Sequence, residues 1–269
     1  MQHMEMQPAG CEIPFEGVRN FRELGGYEAA DGRRVRRGVF FRAPALAGLK
    51  SLSDQERYRA LGIRTVFDFR SSQERAAAPD PVFDGQTRVE CNAIVSQGRE
   101  VNFDLEDLFQ NQERLQENLR MVDLQYAAMP FENPAYHRLL DALRADEGPF
   151  LFHCSAGKDR TGVAAMLILK LLDVPDETVV EDYLKTNRYC AGSREMIFRA
   201  LEPKAGRDAA LQVSQIAAGV KEENIRRAME AVRARYGSFD AYFAEEFGIR
   251  KEERVLLQGR YLETPADSL

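Results

Sequence analysis

The segment from His153 to Gly162, HCSAGKDRTG, contains a cysteine and an arginine that are separated by five residues. A thiolate is a strong nucleophile, and a guanidinium can bind two oxygens of one phosphate group. The backbone amides between them can curl into a nest that points N–H groups at an anion, and Gly157 permits the tight turn that a nest requires. The segment therefore predicts a loop that binds a phosphate monoester beside the sulfur of Cys154. The residues expected to contact the phosphate are Ser155, Ala156, Gly157, Lys158, Asp159 and Arg160.

The same positive field acts on the nucleophile. A free cysteine is mostly protonated at neutral pH, but nested amides, a helix N-terminus and a guanidinium all favour the thiolate. Attack of Cys154 on phosphorus would give a phosphocysteine, which water would then hydrolyse. Arg160 would follow the oxygens into the planar transition state, Thr161 could donate a hydrogen bond to the sulfur, and His153 would orient the loop. Because the loop itself neutralises the phosphate, we expect no metal and no other cofactor.

The elements around this segment must hold it in place. Residues 149–152 form a short apolar run that predicts a strand, and the apolar stretch from Thr161 to Leu172 predicts a helix. Two further strands are predicted at 39–41 and 63–69. Ser53 followed by Glu56 is typical of a capping box, which would open a helix that ends near Gly62. Further helices are predicted at 133–148, from Pro175 onwards, and at about 193–201, 221–235, 239–247 and 251–261.

The order of these elements indicates an α/β fold. Strands alternate with helices first and helices dominate later, which predicts a short, mainly parallel central sheet flanked by helices, with a helical C-terminus. We expect residues 1–14 to be a flexible tail and 15–269 to be one domain. The polar stretch 96–125 is interpreted as a long excursion over the surface.

Composition excludes several classes of function. A chain of 269 residues with 44% hydrophobic side chains can bury a substantial core, and its formal net charge of −6 gives no support to a nucleic-acid partner. No segment approaches the roughly 18 apolar residues of a membrane helix, and the N-terminus does not resemble a signal peptide. We therefore expect a cytoplasmic protein, although export without a cleavable signal is compatible with the sequence. The four cysteines are widely spaced, which argues against zinc and against a disulfide framework.

The signature segment resembles the active-site loop of protein tyrosine phosphatases, and its lysine-aspartate pair, as GKDRTG, resembles the bacterial and fungal tyrosine phosphatase family 3. Other segments of the chain are also similar to that family, which extends the resemblance to about residues 15–250. They are NFRELGGY (20–27), DGRRVRRGVFFRA (31–43), LGIRTVFDFRS (61–71), EDYLKTN (181–187) and YGSFDAYF (236–243).

The resemblance implies a tyrosine phosphatase-like fold with a helical lid over the active site. It implies phosphotyrosine as substrate, with phosphoserine, phosphothreonine or phosphoinositides as further substrates of some members, and inorganic phosphate as product. We place the lid at 193–235, where Met196, Ile197 and Phe198 would face the pocket mouth. Ordinary core packing of these three side chains is the alternative.

Two aspartates are candidates for the general acid. The chain has no tryptophan, so the Trp-Pro-Asp loop of well-known tyrosine phosphatases is absent. The resemblance favours Asp159 in the phosphate loop, and Asp68 at a predicted strand end is the alternative, beside Arg70. Lys158 could accept a second phosphate, as on an inositol ring, or could be a surface lysine paired with a neighbouring acid.

Three functions are thus in competition. The first is a phosphatase for phosphotyrosine with wider specificity, and the second is an inositol phosphate or phosphoinositide phosphatase with the same machinery. The third is a non-catalytic phosphate-binding module, which predicts a broken cysteine or arginine; Cys154 and Arg160 are both present.

Overall fold

The computed structural model describes residues 8–93, 95–96, 99–100 and 124–265. The strands are β1 (Arg22–Glu23), β2 (Arg34–Val35), β3 (Phe40–Ala43), β4 (Thr65–Asp68), β5 (Thr87–Glu90), β6 (Val95–Ser96), β7 (Arg99–Glu100), β8 (Phe150–His153) and β9 (Leu262–Glu263). Most of the predicted surface excursion at 96–125 lies outside the described residues.

The central sheet has five strands in the order β1, β3, β8, β4, β5. β8 lies between β3 and β4 and is parallel to both, and β5 is parallel to β4; β1 alone pairs antiparallel within this sheet. The register places Ala43, His153 and Asp68 side by side, so three strands end together at one edge. The predicted short, mainly parallel sheet is confirmed, and the signature loop starts at this edge.

The helices are α1 (Leu52–Ala60), α2 (Ser72–Ala77), α3 (Pro134–Arg144), α4 (Asp159–Leu171), α5 (Asp176–Tyr189), α6 (Ala191–Ala205), α7 (Arg207–Ala218), α8 (Glu222–Tyr236), α9 (Phe239–Phe247) and α10 (Lys251–Tyr261). Residues 124–128 are also helical. The predicted helices are present, but α2 and α7 were not predicted. The capping residue of α1 is also different: Ser51, and not Ser53, accepts the amide of Asp54, because the helix begins one residue before Ser53.

Each face of the sheet has its own apolar core, because alternate residues of a strand point to opposite sides. Phe150 and Phe152 of β8 belong to the larger core, together with side chains of α3 and α4. Leu151 belongs to the smaller core, with Phe41 and Tyr58. Burial on both faces is what a mainly parallel sheet requires, and it fixes β8 and α4 on either side of the signature loop.

The predicted lid range 193–235 divides into two parts. No residue of α6 is buried, and α6 packs on α7, which buries only Ala210, Val213, Ser214 and Ala218. In contrast, α8 buries Ile225, Ala228, Met229 and Val232 in the larger core. The hairpin of α6 and α7 is therefore the less buried part of this range, and α8 is part of the body.

The predicted flexible tail at 1–14 is wrong for its last residues. The amide of Ile13 donates to the Phe21 carbonyl at 2.7 Å, and Glu12 pairs with Arg22 in an antiparallel bridge. This pairing covers part of the free edge of β1. The edge of β1 thus gives residues 12 and 13 backbone hydrogen-bond partners, which the periodicity of the sequence does not reveal. None of the described helices is long and apolar enough to cross a membrane.

Candidate active site

Cys154 directly follows β8, at the edge where β3 and β4 also end. Its residue surface is only 2% exposed. The carboxyl ends of parallel strands are where α/β proteins place their ligand sites, and the next helix, α4, begins at Asp159. The predicted strand, loop and helix are all present around the cysteine.

Gly157 lets the loop turn back against β3. Its φ is +66°, and a Cβ atom at this position would lie 2.5 Å from the nitrogen of Pro44 and 2.6 Å from the carbonyl carbon of Ala43. Both are backbone atoms that cannot move aside, so the position requires glycine for its backbone angle and for its close approach. The role predicted for this glycine has a specific geometric cause.

The carbonyl groups of the loop point away from its centre. The Gly157 oxygen accepts Arg42 Nη2 at 3.0 Å and Asn20 Nδ2 at 3.3 Å, and the Ser155 oxygen accepts the Ala45 amide at 3.1 Å. Within the described part of the chain, the amides of 155–160 donate to no protein acceptor. Six donors are therefore available to one anion, next to the N-terminus of α4.

A buried ion cluster holds Arg42 behind the loop. Asp182, on α5, accepts Arg42 Nη1 at 2.6 Å and Arg22 Nη1 at 2.7 Å, and also the Tyr27 hydroxyl at 2.8 Å. Burial opposes ionisation of the Asp182 carboxyl, but the two guanidinium groups outweigh it and lower its pKa. The cluster joins β1, β3 and α5, and Arg42 carries it to the loop through Gly157.

Arg160, at the start of α4, is held in one plane by Glu74. Its Nη1 and Nη2 atoms each donate to a different Glu74 oxygen at 2.6 Å, and Nη1 also donates to the Phe69 carbonyl at 3.1 Å. Glu74 is in turn fixed by the capping box of α2 with Ser71 and by the Ser155 hydroxyl at 2.5 Å. Sequence reasoning missed this glutamate, although the Ser-x-x-Glu spacing was visible.

The edge of Arg160 between Nε and Nη2 is not occupied by Glu74. A guanidinium has five N–H donors, and among the described residues Nε has no acceptor and Nη2 has only one additional contact, 3.5 Å from the Ser155 hydroxyl. Burial disfavours the cation, but the bonds to Glu74 and the charges of Cys154 and Asp159 outweigh it and raise the pKa of Arg160. The Nε–Nη2 edge is therefore a charged fork that is free to bind two phosphate oxygens.

His153 and Asp68 belong to a second buried cluster under the loop. Asp68 is fully buried and accepts Nε and Nη2 of Arg70 at 2.9 and 2.7 Å. Burial raises the pKa of Asp68, but the bonds from Arg70 outweigh it and the net direction is downward. Burial lowers the pKa of His153, whose Nδ1 lies 3.4 Å from the Cys154 carbonyl oxygen. This ion pair with Arg70 gives Asp68 a structural role.

Asp80 completes this second cluster. Its Oδ2 atom lies 2.6 Å from Arg70 Nη2, 3.0 Å from Arg88 Nη2 and 3.4 Å from His153 Nε2. Asp68, Asp80 and His153 have the spacing of a metal site. However, the two guanidinium groups already neutralise both carboxylates, so these residues do not require a cation.

Asp159 lies at the mouth of the loop, and its side chain is 31% exposed. Lys158 Nζ lies 2.8 Å from its Oδ2, and the Tyr126 hydroxyl donates to its Oδ1 at 2.5 Å. Lys158 also donates to the Ile216 carbonyl at 2.8 Å, near the end of α7. The lysine therefore has the acidic partner that its surface alternative predicted, and it connects the phosphate loop to the hairpin of α6 and α7.

The remaining predicted residues, on α4 and α6, are in different environments. Thr161 is fully buried, and its hydroxyl has no hydrogen-bond partner among the described residues. Met196 is 71% exposed on α6, so core packing does not explain it, whereas Ile197 and Phe198 are half-buried. An unpaired buried hydroxyl costs free energy, and Thr161, in the first turn of α4, is a candidate donor to the sulfur.

The sheet, the amide cradle and the cysteine–arginine pair are those of the protein tyrosine phosphatase class. The chain belongs to the tyrosine phosphatase family, whose family model matches residues 13–263. It is therefore a protein-tyrosine phosphatase, a hydrolase that acts on phosphorylated substrates and releases phosphate.

Relatives of known name agree with this assignment. The chain is 32% identical over 254 residues to a Cupriavidus necator protein provisionally named a tyrosine-protein phosphatase, covering 93% of this chain and 88% of the relative. It is 28% identical over 263 residues to the triple specificity protein phosphatase PtpB of Mycobacterium tuberculosis, covering 87% and 92%. A Nostoc commune tyrosine-protein phosphatase is 30% identical over 141 residues, covering 52% and 46%.

Proposed function

We propose that this phosphatase hydrolyses phosphotyrosine through a phosphocysteine at Cys154. The observation that carries the proposal is the cradle itself: in the loop that follows the buried Cys154, six backbone amides and the Nε–Nη2 edge of Arg160 have no close acceptor among the described residues. A phosphate dianion matches these donors in charge and in number.

In the first step the Cys154 thiolate attacks phosphorus, and the bond from phosphorus to the ester oxygen breaks. The electron pair of that bond goes to the leaving oxygen, which takes the proton of Asp159. The three remaining phosphoryl oxygens stay on the amides and on Arg160, which stabilise them as they become planar. The products are the free tyrosine hydroxyl, a phosphocysteine and an Asp159 carboxylate.

In the second step water attacks the phosphocysteine. The Asp159 carboxylate accepts a proton from the water, the sulfur–phosphorus bond breaks, and inorganic phosphate leaves the loop. The thiolate and the protonated Asp159 are restored. A hydrogen bond from Thr161 to the departing sulfur would stabilise its charge in this step. It would also give the buried hydroxyl a partner, which no described residue supplies.

Asp159 is a better acid than Asp68 in this scheme. Asp159 is partly exposed at the mouth of the loop, where a leaving oxygen can approach. Asp68 is fully buried, is bonded to Arg70 and has a lowered pKa, although burial alone would raise it. A carboxyl that is held ionised in an interior ion pair is a poor proton donor.

The range of substrates is proposed to be wider than phosphotyrosine. One relative carries triple specificity in its name, and Lys158 could turn from Asp159 to a second phosphate, as on an inositol ring. Phosphorylated proteins and phosphoinositides are therefore the proposed partners. The bonds of Lys158 to Asp159 and Ile216 support the alternative, in which the lysine only joins the loop to α7.

Cys154→Ser tests the nucleophile. We expect it to abolish turnover of an aryl phosphate while affinity for inorganic phosphate, measured by calorimetry, is retained, because the amides and Arg160 are unchanged. Substantial remaining turnover would refute the phosphocysteine. With the same variant as control, a panel of phosphotyrosine and phosphoserine peptides and inositol lipids would separate the protein and lipid alternatives.

Asp159→Asn tests the acid. The alkaline limb of the pH–rate profile should flatten, because loss of the proton from Asp159 would no longer limit the rate. Asp68→Asn is the matched comparison. If the limb is unchanged in Asp159→Asn and lost in Asp68→Asn, the acid is Asp68.

A further inference from the structure

A chain of hydroxyl groups ends at the proposed acid. The Tyr126 hydroxyl lies 2.5 Å from Asp159 Oδ1 and 2.5 Å from the Tyr183 hydroxyl. Tyr126 and Tyr183 are each 1% exposed, and their rings meet edge to face with centroids 6.2 Å apart. Three residues from distant parts of the sequence thus form one line.

The direction of this line follows from its members. An ionised carboxylate can only accept, and each tyrosine hydroxyl has one proton to give. The proton of Tyr126 goes to Asp159, so the Tyr183 hydroxyl donates to Tyr126. Burial, and after it the charge of Asp159, raises the pKa of Tyr126 well above its ordinary value, so the hydroxyl keeps its proton.

Tyr126 donates to one oxygen of Asp159, whereas Lys158 Nζ contacts both, at 3.1 Å from Oδ1 and 2.8 Å from Oδ2. Oδ1 is held by Tyr126, which is fully enclosed and packed against Tyr183. Oδ2 lies 2.8 Å from Lys158 Nζ, at the end of a long side chain. A bound phosphate dianion attracts the ammonium group, whereas the tyrosine cannot leave its place. Oδ2 is therefore the oxygen that can be vacated and can take a proton.

We propose that Tyr126 is a positioning residue of this phosphatase, which anchors Oδ1 of Asp159 so that Oδ2 carries the proton to the leaving oxygen. The inference rests on the proposed function, in which Asp159 is the acid. Tyr126 does not touch the substrate; it acts by fixing the plane of the carboxyl. Tyr183 supports it from α5, and Gly162 makes room for Tyr183, whose ring a Cβ there would approach to 2.8 Å.

The charged and titratable groups near Asp159 come from several elements. They are Lys158 and Arg160 beside it in the loop, Cys154 at the base of the loop, Tyr126 from the helical segment 124–128, Tyr136 from α3 and Tyr183 from α5. Of these, Tyr126 and Lys158 donate directly to the carboxyl. Without the tyrosine donor, Lys158 is the member of this set that still donates to the carboxyl.

The test uses Tyr126→Phe and two aryl phosphates whose leaving groups differ in acidity. The kcat/KM value reports the step in which the ester bond breaks. A poor leaving group such as phenol needs the acid, so its kcat/KM should fall about tenfold, a part of the 10²–10⁴-fold that a general acid supplies. A good leaving group such as dinitrophenol does not need the proton, so its kcat/KM should stay within about twofold.

Tyr242→Phe is the matched control. This tyrosine is fully buried and donates to the Pro130 carbonyl at 2.6 Å, away from Asp159, so its loss should leave both substrates unaffected. Tyr183→Phe removes the next hydroxyl in the line, and it should give the same pattern with smaller size. It also carries the test if Tyr126→Phe does not fold, which thermal unfolding would reveal.

Asp159→Asn distinguishes an error in the proposed acid from an error in the proposed role of Tyr126. The quantity to compare is the kcat/KM value for the dinitrophenyl phosphate divided by that for phenyl phosphate. If this variant does not change the ratio, the proposed acid is wrong. If it increases the ratio and Tyr126→Phe does not, only the role of Tyr126 is overturned. In the Asp159→Asn background the further change Tyr126→Phe should have no effect on the ratio, because the carboxyl that the tyrosine positions is gone. An added effect there would also overturn the inference.

Discussion

Replacing Glu74 with glutamine tests how the phosphate loop keeps its arginine in place. The variant keeps the shape of the side chain but removes the negative charge between the two Nη atoms of Arg160. It also places an NH₂ group against either a guanidinium or the Ser155 hydroxyl. We expect kcat/KM for an aryl phosphate to fall by about 10- to 100-fold, which corresponds to about 1.4–2.7 kcal/mol.

The effect on stability follows from the pKa of Glu74. Burial opposes ionisation, but the bonds from Arg160, Ser155 and the Ser71 amide outweigh it and lower the pKa from 4.5 to about 2. A difference of about 2.5 pKa units is worth about 3.4 kcal/mol as an upper bound. Because the side chain is 30% exposed, solvent screening reduces this to about 2 kcal/mol.

The sign of the pH dependence is fixed by this lowered pKa. The stabilisation from Glu74 is fully present above pH 4.5 and is lost as the pH falls toward about 2. Urea unfolding at pH 7 should therefore find Glu74→Gln less stable than the parent by about 2 kcal/mol, and the difference should shrink to less than about half at pH 3. Glu56→Gln, at an exposed position of α1, is the control. An equal difference at both pH values would refute the reasoning.

Three further variants test other parts of the account. Gly157→Ala should weaken inorganic phosphate binding at least about tenfold in calorimetry, because its Cβ would meet the backbone of Ala43 and Pro44 at a positive φ. Asp182→Asn should lower the free energy of unfolding in urea by about 3–5 kcal/mol, because two buried guanidinium groups lose their shared charge. Thr161→Val should slow hydrolysis of the phosphocysteine about tenfold and enlarge the burst of aryl product in stopped-flow traces.

Each of these variants has a result that would contradict the account. Unchanged phosphate affinity in Gly157→Ala would mean that the loop does not form the anion site. Parental stability in Asp182→Asn would mean that the cluster behind the loop does not need an ionised carboxylate. A smaller burst in Thr161→Val would assign Thr161 to formation of the intermediate and not to its breakdown.

The local part of the site could be predicted from the sequence. The proposed nucleophile, a turn glycine and an arginine lie within a few residues of one another, between an apolar strand and an apolar helix. This short spacing is what made the phosphate-binding loop predictable. The order of strands and helices also predicted a mainly parallel sheet. Both inferences need only short-range patterns and the rules of chain connection.

The distant partners could not be predicted in the same way. Arg42 and Asp182 meet across 140 residues, and Tyr126 and Asp159 across 33. These contacts depend on which strands become neighbours and on how α5 packs, which periodicity does not specify. Glu74 was hidden for another reason: its spacing from Ser71 signals a helix cap, and the same carboxylate also holds Arg160.

Trapping the covalent intermediate tests the central claim most directly. The enzyme would be mixed with an aryl phosphate, quenched in acid within milliseconds and digested, and the phosphorylated peptide would be identified by mass spectrometry. The account predicts one phosphoryl group on the sulfur of Cys154, and none on this peptide in the Cys154→Ser protein. Full turnover without a phosphorylated Cys154, or a phosphoryl group on a different side chain, would contradict it.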